Sequence, residues 1–328
     1  GGDRRLFRDD ELLVELARHQ LMRVSSKREE WGLFDYSGME GVNTEIEQAR
    51  EAFIASLEKV DDGPAAARLA EQALTAGLQA GEKMARFHAG VFLGRRQQTG
   101  GFQRPHLGVC SPRGIADTAL ARRVAEFAQF VQVPFVWRQI QPTENVQQYD
   151  ATDATIRTCA NAGLALRGGP MLNFGVRSVP DWMYIWENDF EAIYEAARVH
   201  VERTAKRYAK QISSWIAVSG LHADNVFGFS FEQVMELTRM AATVIKQVAP
   251  RAPVLIEIAQ PWGEYYARNQ QTVPPLLYAD MAVQSGVNFD AFGLELAMGI
   301  EAEGYHVRDL LATSALIDKV ANLGKPLH

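Results

Sequence analysis

The sequence predicts an α/β protein, with a helical region over residues 1–104 followed by a parallel sheet built from βα units over residues 105–328. Apolar residues recur at helical spacing through the first region, whereas short apolar runs alternate with longer amphipathic segments through the second. Such alternation is typical of parallel strands joined by crossover helices. Because parallel sheets carry function at the carboxyl ends of their strands, a site is expected there.

Three helices are predicted in the first region. Asp9 marks the start of the first, Asn43 that of the second and Pro64 the opening turn of the third, because these residue types are favoured at helix N-termini. The intervening loop over residues 29–42 is punctuated by glycine and carries three aromatic side chains. We expect those aromatics to anchor the loop against a neighbouring domain rather than to bind a ligand.

The second region contains apolar runs of strand length separated by helical segments with one apolar face. The predicted strands cover residues 107–110, 131–137, 164–173, 214–219, 254–259 and 289–296, and residues 326–328 would begin a seventh. The sequence has no initiating methionine and no signal-like segment, and it stops inside an expected strand. We therefore expect a truncated sequence, and its localisation stays unknown.

The composition is that of a globular protein with an ordinary charge balance. Of the 328 residues, 47% are hydrophobic and 23% are charged, and the formal net charge is -6. No apolar run reaches the roughly 18 residues of a membrane span, and the acidic balance excludes the basic footprint of a nucleic-acid-binding protein. Cys110 and Cys159 lie next to apolar residues and are expected to be reduced core thiols, with a disulfide between them left open.

Residues 200–225 carry the most specific pattern in the chain. A helical segment leads into a short apolar strand, which opens into a polar run over residues 219–225. The positions that carry the pattern are His200, Val201, Thr204, Arg207, Tyr208, Ile212, Trp215 and Val218. Their spacing resembles the helix and fourth strand of glycoside hydrolase family 10, the xylanase family, whose pattern is H-I-x-x-V-x-x-R-Y-x-x-x-I-x-x-W-D-V-V-N-E.

This resemblance implies a TIM (β/α)8-type barrel, truncated here after about six strands, that acts on xylan-type polysaccharide. It also suggests an extracellular or periplasmic location. The resemblance covers residues 105–328 and keeps scaffold positions such as Trp137 and Arg167, whereas Asn173 stands where the family has Trp. The family's general acid/base Glu falls on Gly220, and its nucleophilic Glu would come after His328. Because glycine has no proton to exchange, a general acid must be another residue.

Glu257 and Glu295 are the best candidates for catalysis, since each interrupts an apolar run near a strand end. A glycosidase needs one carboxylic acid to protonate the leaving oxygen and one carboxylate opposite it. Burial at the barrel mouth would raise the pKa of such a group. The alternative is that either glutamate pairs with Arg167 or Arg138 in a structural network, or faces outward.

Polar and aromatic residues near the strand ends are the candidates for substrate binding. They are Trp137, Arg167, Asn173, Ser219, His222, Trp262 and Tyr265. Core packing is the alternative for Trp137, and a hydrogen-bonded loop histidine is the alternative for His222. No metal or other cofactor is predicted, because His222 and Asp224 lack further ligands and residues 168–170 do not precede a helix as a phosphate loop would. Ser219 and His222 lack the third residue that the catalytic triad of a serine hydrolase requires.

Two functions stay open. The first is a divergent glycoside hydrolase-like domain that acts on or recognises polysaccharide, with no nucleic acid partner and no membrane span. The second is a non-catalytic relative that binds carbohydrate or serves as a scaffold, which would explain the loss of polar positions. An enzyme that carries out unrelated chemistry on a barrel fold is a third class of function. The oligomeric state is unknown.

Overall fold

The structure, a computed structural model, describes residues 9–101, 107–301 and 304–328. These residues form two compact units. The helical unit lies within Gly1–Phe102 and Arg308–Ile317, and the sheet unit lies within Gln103–Val307 and Asp318–His328. The segment 308–317 follows the sixth strand in sequence but packs in the helical unit. None of the described helices is both long enough and apolar enough to cross a membrane.

Three helices make up most of the helical unit. They are α1 (Asp9–Glu30), α2 (Glu40–Glu58) and α3 (Gly63–Gln98). The Asp62 side chain caps α3 by accepting a hydrogen bond from the Ala65 backbone at 3.2 Å, and Pro64 occupies the first turn, as predicted. A side chain at Gly77 would lie 3.2 Å from Gln20 Cγ, so glycine there lets α1 and α3 approach closely.

The sheet unit contains six parallel strands that lie side by side in sequence order. The strands are β1 (Gly108–Cys110), β2 (Phe130–Val133), β3 (Ala165–Gly168), β4 (Ser214–Ser219), β5 (Val254–Ile258) and β6 (Ala291–Leu294). Leu327 forms a parallel bridge with Phe292, as expected for the beginning of a seventh strand. The prediction of a parallel sheet that curls into an incomplete barrel is confirmed.

Helices connect these strands. They are α4 (Thr118–Ala125), α5 (Trp137–Ile140), α6 (Asp150–Asn161), α7 (Phe190–Tyr208), α8 (Phe231–Val248), α9 (Pro275–Gln284) and α10 (Leu310–Ala321), with 3₁₀ turns at Asp181–Trp186 and Glu264–Ala267. Two of the longest have strong N-terminal caps. Asp189 caps α7, and Ser230 with Gln233 forms a capping box on α8.

Two predicted strands end at least four residues earlier than expected. The second stops at Val133 because Pro134 cannot donate a ladder hydrogen bond. The third stops at Gly168, since Gly169 has a φ of 127° and Pro170 again lacks an N–H. Pairing with β4 then resumes through a bridge between Leu172 and Val218.

The concave face of the sheet is the one that carries Leu255, which packs with Ile216 and Ala291. Leu255 and Ala291 also line a cavity of about 440 Å³, together with Arg167 and His328. Because side chains alternate along a strand, residue 257 and residues 293 and 295 follow on this same face. The concave face thus leads from the cavity toward the carboxyl ends of β5 and β6.

Candidate active site at the strand ends

Glu257 lies near the carboxyl end of β5 and pairs in register with Ser219 on β4 and Gly293 on β6. The Ser219 hydroxyl donates a hydrogen bond to Glu257 Oε1 at 2.6 Å. A Cβ added at Gly293 would lie 3.4 Å from Glu257 Cγ, so the glutamate side chain covers this glycine. Burial raises the pKa of Glu257, while the Ser219 hydrogen bond and the charge of Arg167 oppose that rise.

Glu295 lies two residues beyond Gly293 and is therefore on the same face as Glu257. Its backbone N–H donates to the Ile258 carbonyl at 3.0 Å, which continues the strand pairing. Strand spacing and rise place the Cα atoms of the two glutamates about 8 Å apart. Burial of its carboxyl group and then the charge of Glu257 raise the pKa of Glu295, although the residue as a whole is exposed. We call Glu257 and Glu295 the carboxyl pair.

Cys110, the last residue of β1, lies close enough to the carboxyl pair to be affected by its charges. The charges of both glutamates add to burial in raising the pKa of the Cys110 thiol, so the end of β1 lies within electrostatic reach of β5 and β6. Both Cys110 and Cys159 are free thiols. Cys159 is buried as expected, but Cys110 is exposed rather than in the core.

Arg167 lies deeper on the concave face than the carboxyl pair. Its Nε donates to the Ser214 hydroxyl at 3.3 Å, its Nη2 lies 3.1 Å from His328 Nδ1, and its guanidinium covers the Phe130 ring at 4.3 Å. Burial lowers the pKa of Arg167, and the charge of Glu257 opposes this. Arg167 and Glu257 thus influence each other through their charges.

Trp137 and His222 lie beneath the surface of the site. Trp137 Nε1 donates to Gln141 at 3.0 Å, and its ring stacks on His200. His222 is fully buried, donates from Nε2 to the Ala259 carbonyl at 3.0 Å and stacks on Tyr278. Burial lowers the pKa of His222 to about 4, so the ring is neutral at physiological pH. These contacts favour packing over direct contact of either ring with a ligand.

The other predicted binding residues lie at or beyond the strand ends. Asn173 Oδ1 accepts a hydrogen bond from the Gly175 backbone at 2.9 Å. Trp262 and Tyr265 follow β5 and are partly buried, and the Tyr265 hydroxyl donates to the Val273 carbonyl at 2.6 Å. Ser219 and Glu257 are therefore joined by a hydrogen bond, whereas Asn173, Trp262 and Tyr265 lie in the loops that follow the strands.

Two residues near these strand ends, Gln260 and Tyr305, were missed by sequence reasoning. Gln260, just after β5, has a φ of 44°, which is unusual for a residue with a side chain. The Gln260 side chain forms a hydrogen bond with the Tyr305 hydroxyl. Burial and the charge of Glu295 raise the pKa of Tyr305. Asp224, in the loop after β4, also influences Tyr305. Sequence reasoning considered Asp224 only as a metal ligand beside His222.

No group of three or more metal-ligating side chains occurs among the residues whose placement is described. The arrangement instead offers two neighbouring carboxyl groups with raised pKa values, one of them hydrogen-bonded to a hydroxyl. Such a pair can hold a proton on one carboxyl group and a charge on the other, which is the requirement for acid/base chemistry at neutral pH.

The fold is similar to that of solved xylanases. Xylanase B from Clostridium stercorarium superposes with a TM-score of 0.52 at 16% identity, covering 68% of this chain and 69% of that one. A family 10 protein from Paenibacillus barcinonensis gives 0.52 at 16% identity, covering 67% of each chain. An intracellular xylanase from Thermoanaerobacterium saccharolyticum gives 0.51 at 17% identity, covering 69% and 72%.

The chain matches no protein-family model and no curated protein sequence. At these identities the likeness establishes the fold, and it confirms the xylanase-like barrel that the pattern around Trp215 predicted. The chain spans about two thirds of the length of the solved structures it matches.

Proposed function

We propose that this chain acts on polysaccharide as a divergent glycoside hydrolase and that Glu257 and Glu295 supply its acid/base chemistry. The observation that carries the proposal is the carboxyl pair, which lies on adjacent strands of a xylanase-like fold at the ends where barrel enzymes hold their catalytic groups. The substrate class, a xylan-type glycan, is suggested by the names of the solved neighbours.

The two glutamates would have different roles. Glu257 accepts the Ser219 hydrogen bond and lies in the field of Arg167, both of which favour its carboxylate form. Glu295 lies beside that negative charge and holds its proton to higher pH. Glu295 would donate this proton to the glycosidic oxygen as the C–O bond breaks, and Glu257 would take a proton from the water that attacks the anomeric carbon.

The test is hydrolysis of xylan and of an aryl xyloside by the 328-residue chain and by Glu257→Gln and Glu295→Gln. The proposal predicts hydrolysis that falls by at least about 100-fold in each variant, because positioned acid/base groups contribute that much. Glu236→Gln, on the exposed face of α8, is the matched control and should retain the full rate. Activity unchanged by both site substitutions would exclude the assignment.

A second candidate is a non-catalytic carbohydrate-binding relative. The observation in its favour is Gly220, which directly follows β4 where the resembled family has its acid/base residue. Calorimetric titration with xylo-oligosaccharides distinguishes the two functions. Binding without turnover would support the second candidate, and turnover would exclude it.

A further inference from the structure

The cavity of about 440 Å³ lies at the amino ends of the strands, whereas the carboxyl pair lies at their carboxyl ends. Its wall includes Phe130, Ala165, Ser214 and Ala291, which are the first residues of β2, β3, β4 and β6. The volume is within the range of small-molecule sites, roughly 300–1,000 Å³. We call this space the basal cavity.

Short side chains create the basal cavity. Leu255 lines it and packs with Ala291, so the cavity belongs to the concave face of the sheet. The interior of a barrel is ordinarily filled by layers of bulky branched side chains. Ala165, Ser214 and Ala291 are short instead, and they leave room for a molecule within the sheet unit.

Arg167 places a cation in the wall of the basal cavity. Its Nε donates to the Ser214 hydroxyl and its Nη2 to His328 Nδ1, since a guanidinium can only donate. Burial and the charge of Arg167 lower the pKa of His328, so both partners are uncharged at neutral pH. The acid that acts on Arg167 is Glu257, which accepts the Ser219 hydrogen bond. A guanidinium has five N–H groups, so Arg167 keeps donors for a ligand.

Arg251 adds a second cation at the mouth of the basal cavity. It lines the cavity and is nevertheless exposed, and it has no hydrogen bond or ion pair with any residue that the structure places. The acid in the cavity wall is Asp290, whose carboxylate lies 2.6 Å from Lys246 Nζ and accepts the Val254 N–H at 2.7 Å. Lys246 therefore balances Asp290, and the two arginines leave the cavity positively charged.

The remaining wall of the basal cavity is largely apolar. Phe130, Pro253 and Leu255 contribute to it. The Arg167 guanidinium covers the Phe130 ring at 4.3 Å, and this cation–π contact helps to fix the position of the guanidinium. A strongly hydrated inorganic ion would gain nothing from such walls. The cavity therefore favours a molecule that has both a negative charge and an apolar body.

We propose that the basal cavity binds a small monocarboxylic acid with an apolar body, whose carboxylate pairs with Arg167 and whose body packs on Phe130 and Leu255. The fork of a guanidinium matches the two oxygens of a carboxylate. The Ser214 hydroxyl accepts from Arg167 and donates to no residue that the structure places, so its proton is available to the same carboxylate. This site does not depend on the proposed function, because the carboxyl pair lies at the other ends of the strands.

The experiment is calorimetric titration of the 328-residue chain with 3-phenylpropanoate, with the uncharged 3-phenylpropanamide and with acetate. The chain should bind 3-phenylpropanoate at least about tenfold more tightly than the amide, which lacks the charge-assisted pair. Acetate should also bind more weakly, because it has no apolar body. Arg167→Met should weaken binding of 3-phenylpropanoate by about tenfold or more. Ala291→Leu, which fills the space and changes no charge, should weaken it as well.

Arg251→Gln changes an exposed residue and tests the site without disturbing the core. It should weaken binding of 3-phenylpropanoate by about 2- to 5-fold, as loss of an exposed charge pair does. The matched control is Arg239→Gln on the exposed side of α8, which makes the same charge change and should leave the affinity unaltered. Absence of 3-phenylpropanoate binding, equal affinity for the acid and the amide, unchanged binding in Ala291→Leu, or an effect of Arg251→Gln no larger than the control would overturn the proposal.

Discussion

Gly220 adopts a φ of 71°, a backbone conformation that a side chain disfavours. The space around it is ordinary, because an added Cβ would make no contact closer than 3.6 Å. Gly220→Ala should therefore cost about 1–2 kcal/mol through φ rather than through a clash, and urea unfolding measures that loss. Gly220→Glu, which restores the acid of the resembled family, should cost more, because it also places a carboxyl group at a buried position.

A more stable Gly220→Ala variant would contradict this account of the turn. Gly220→Glu should also fail to raise hydrolysis, because strain displaces the new carboxyl group and the carboxyl pair already supplies the chemistry.

Glu257 should destabilise the protein at neutral pH. Its pKa is raised above 4.5 in the folded state, so the folded chain holds the proton more tightly than the unfolded chain. The stability from this protonated form is full below the unfolded pKa and is lost as pH rises through the folded pKa. Glu257→Gln should thus raise Tm at pH 8, by about 2–4 °C for each kcal/mol regained, and should raise it less at pH 4.

Calorimetric scans at the two pH values check this prediction. The exposed control Glu236→Gln should show no such difference. An equal or lower Tm for Glu257→Gln at pH 8 would mean that Glu257 is stabilised as a carboxylate.

His222, unlike Glu257, should make the folded protein less stable as the pH falls. The unfolded chain protonates this group near 6.5, whereas the folded chain keeps it neutral down to about 4. Stability should therefore fall as pH drops through this window, by about 3 kcal/mol once both states are protonated. His222→Phe keeps the stacking on Tyr278 and should flatten the slope in urea unfolding between pH 6.5 and 4.

The exposed control His19→Phe should leave that slope unchanged. Part of the slope will persist in His222→Phe, because buried His200 has a pKa lowered to about 3. A His222→Phe slope equal to that of the wild-type chain would contradict the neutral assignment.

At the scale of elements, α10 begins within the core of the helical unit. Leu311 is 1% exposed and packs with Val24, Met39 and Met84, while its neighbour Leu310 is 40% exposed. Leu311→Ala should cost about 2–5 kcal/mol, the range for a leucine removed from a close-packed core. Leu310→Ala should cost far less, and urea unfolding compares the two.

Similar losses for both substitutions would show that α10 is only loosely packed in that unit. The sequence could not predict this packing, because the contact joins Leu311 to helices more than two hundred residues earlier.

Strand positions could be predicted because an apolar run must be buried, and a run such as Val254–Ile258 has the length of one strand. Strand ends were less predictable, since Pro134 and Gly169 interrupt pairing inside runs that remain apolar. The link between Ser219 and Glu257 depends on the register of two strands. That register includes a shift between Ile216 and Val218 that no local pattern shows.

For the whole molecule, the sequential order of the strands decides which residues meet. Parallel neighbours place the ends of β4, β5 and β6 side by side, and the curl of the sheet brings Cys110 on β1 within reach of the same charges. The sequence predicted the carboxyl pair from its strand-end positions. It could not predict that the side chains of Asn173 and Asp224 both lie next to Gly175, because that contact joins the loops after two different strands.

The most direct test of the carboxyl pair is an NMR titration of the side-chain carboxyl carbons of Glu257 and Glu295, with and without a neutral xylo-oligosaccharide. We predict pKa values above 4.5 for both groups, a lower value for Glu295 in Glu257→Gln because the like charge is gone, and a change in both resonances when the sugar binds. Two carboxyl groups that titrate at or below 4.5, independently of each other and of the sugar, would contradict the account.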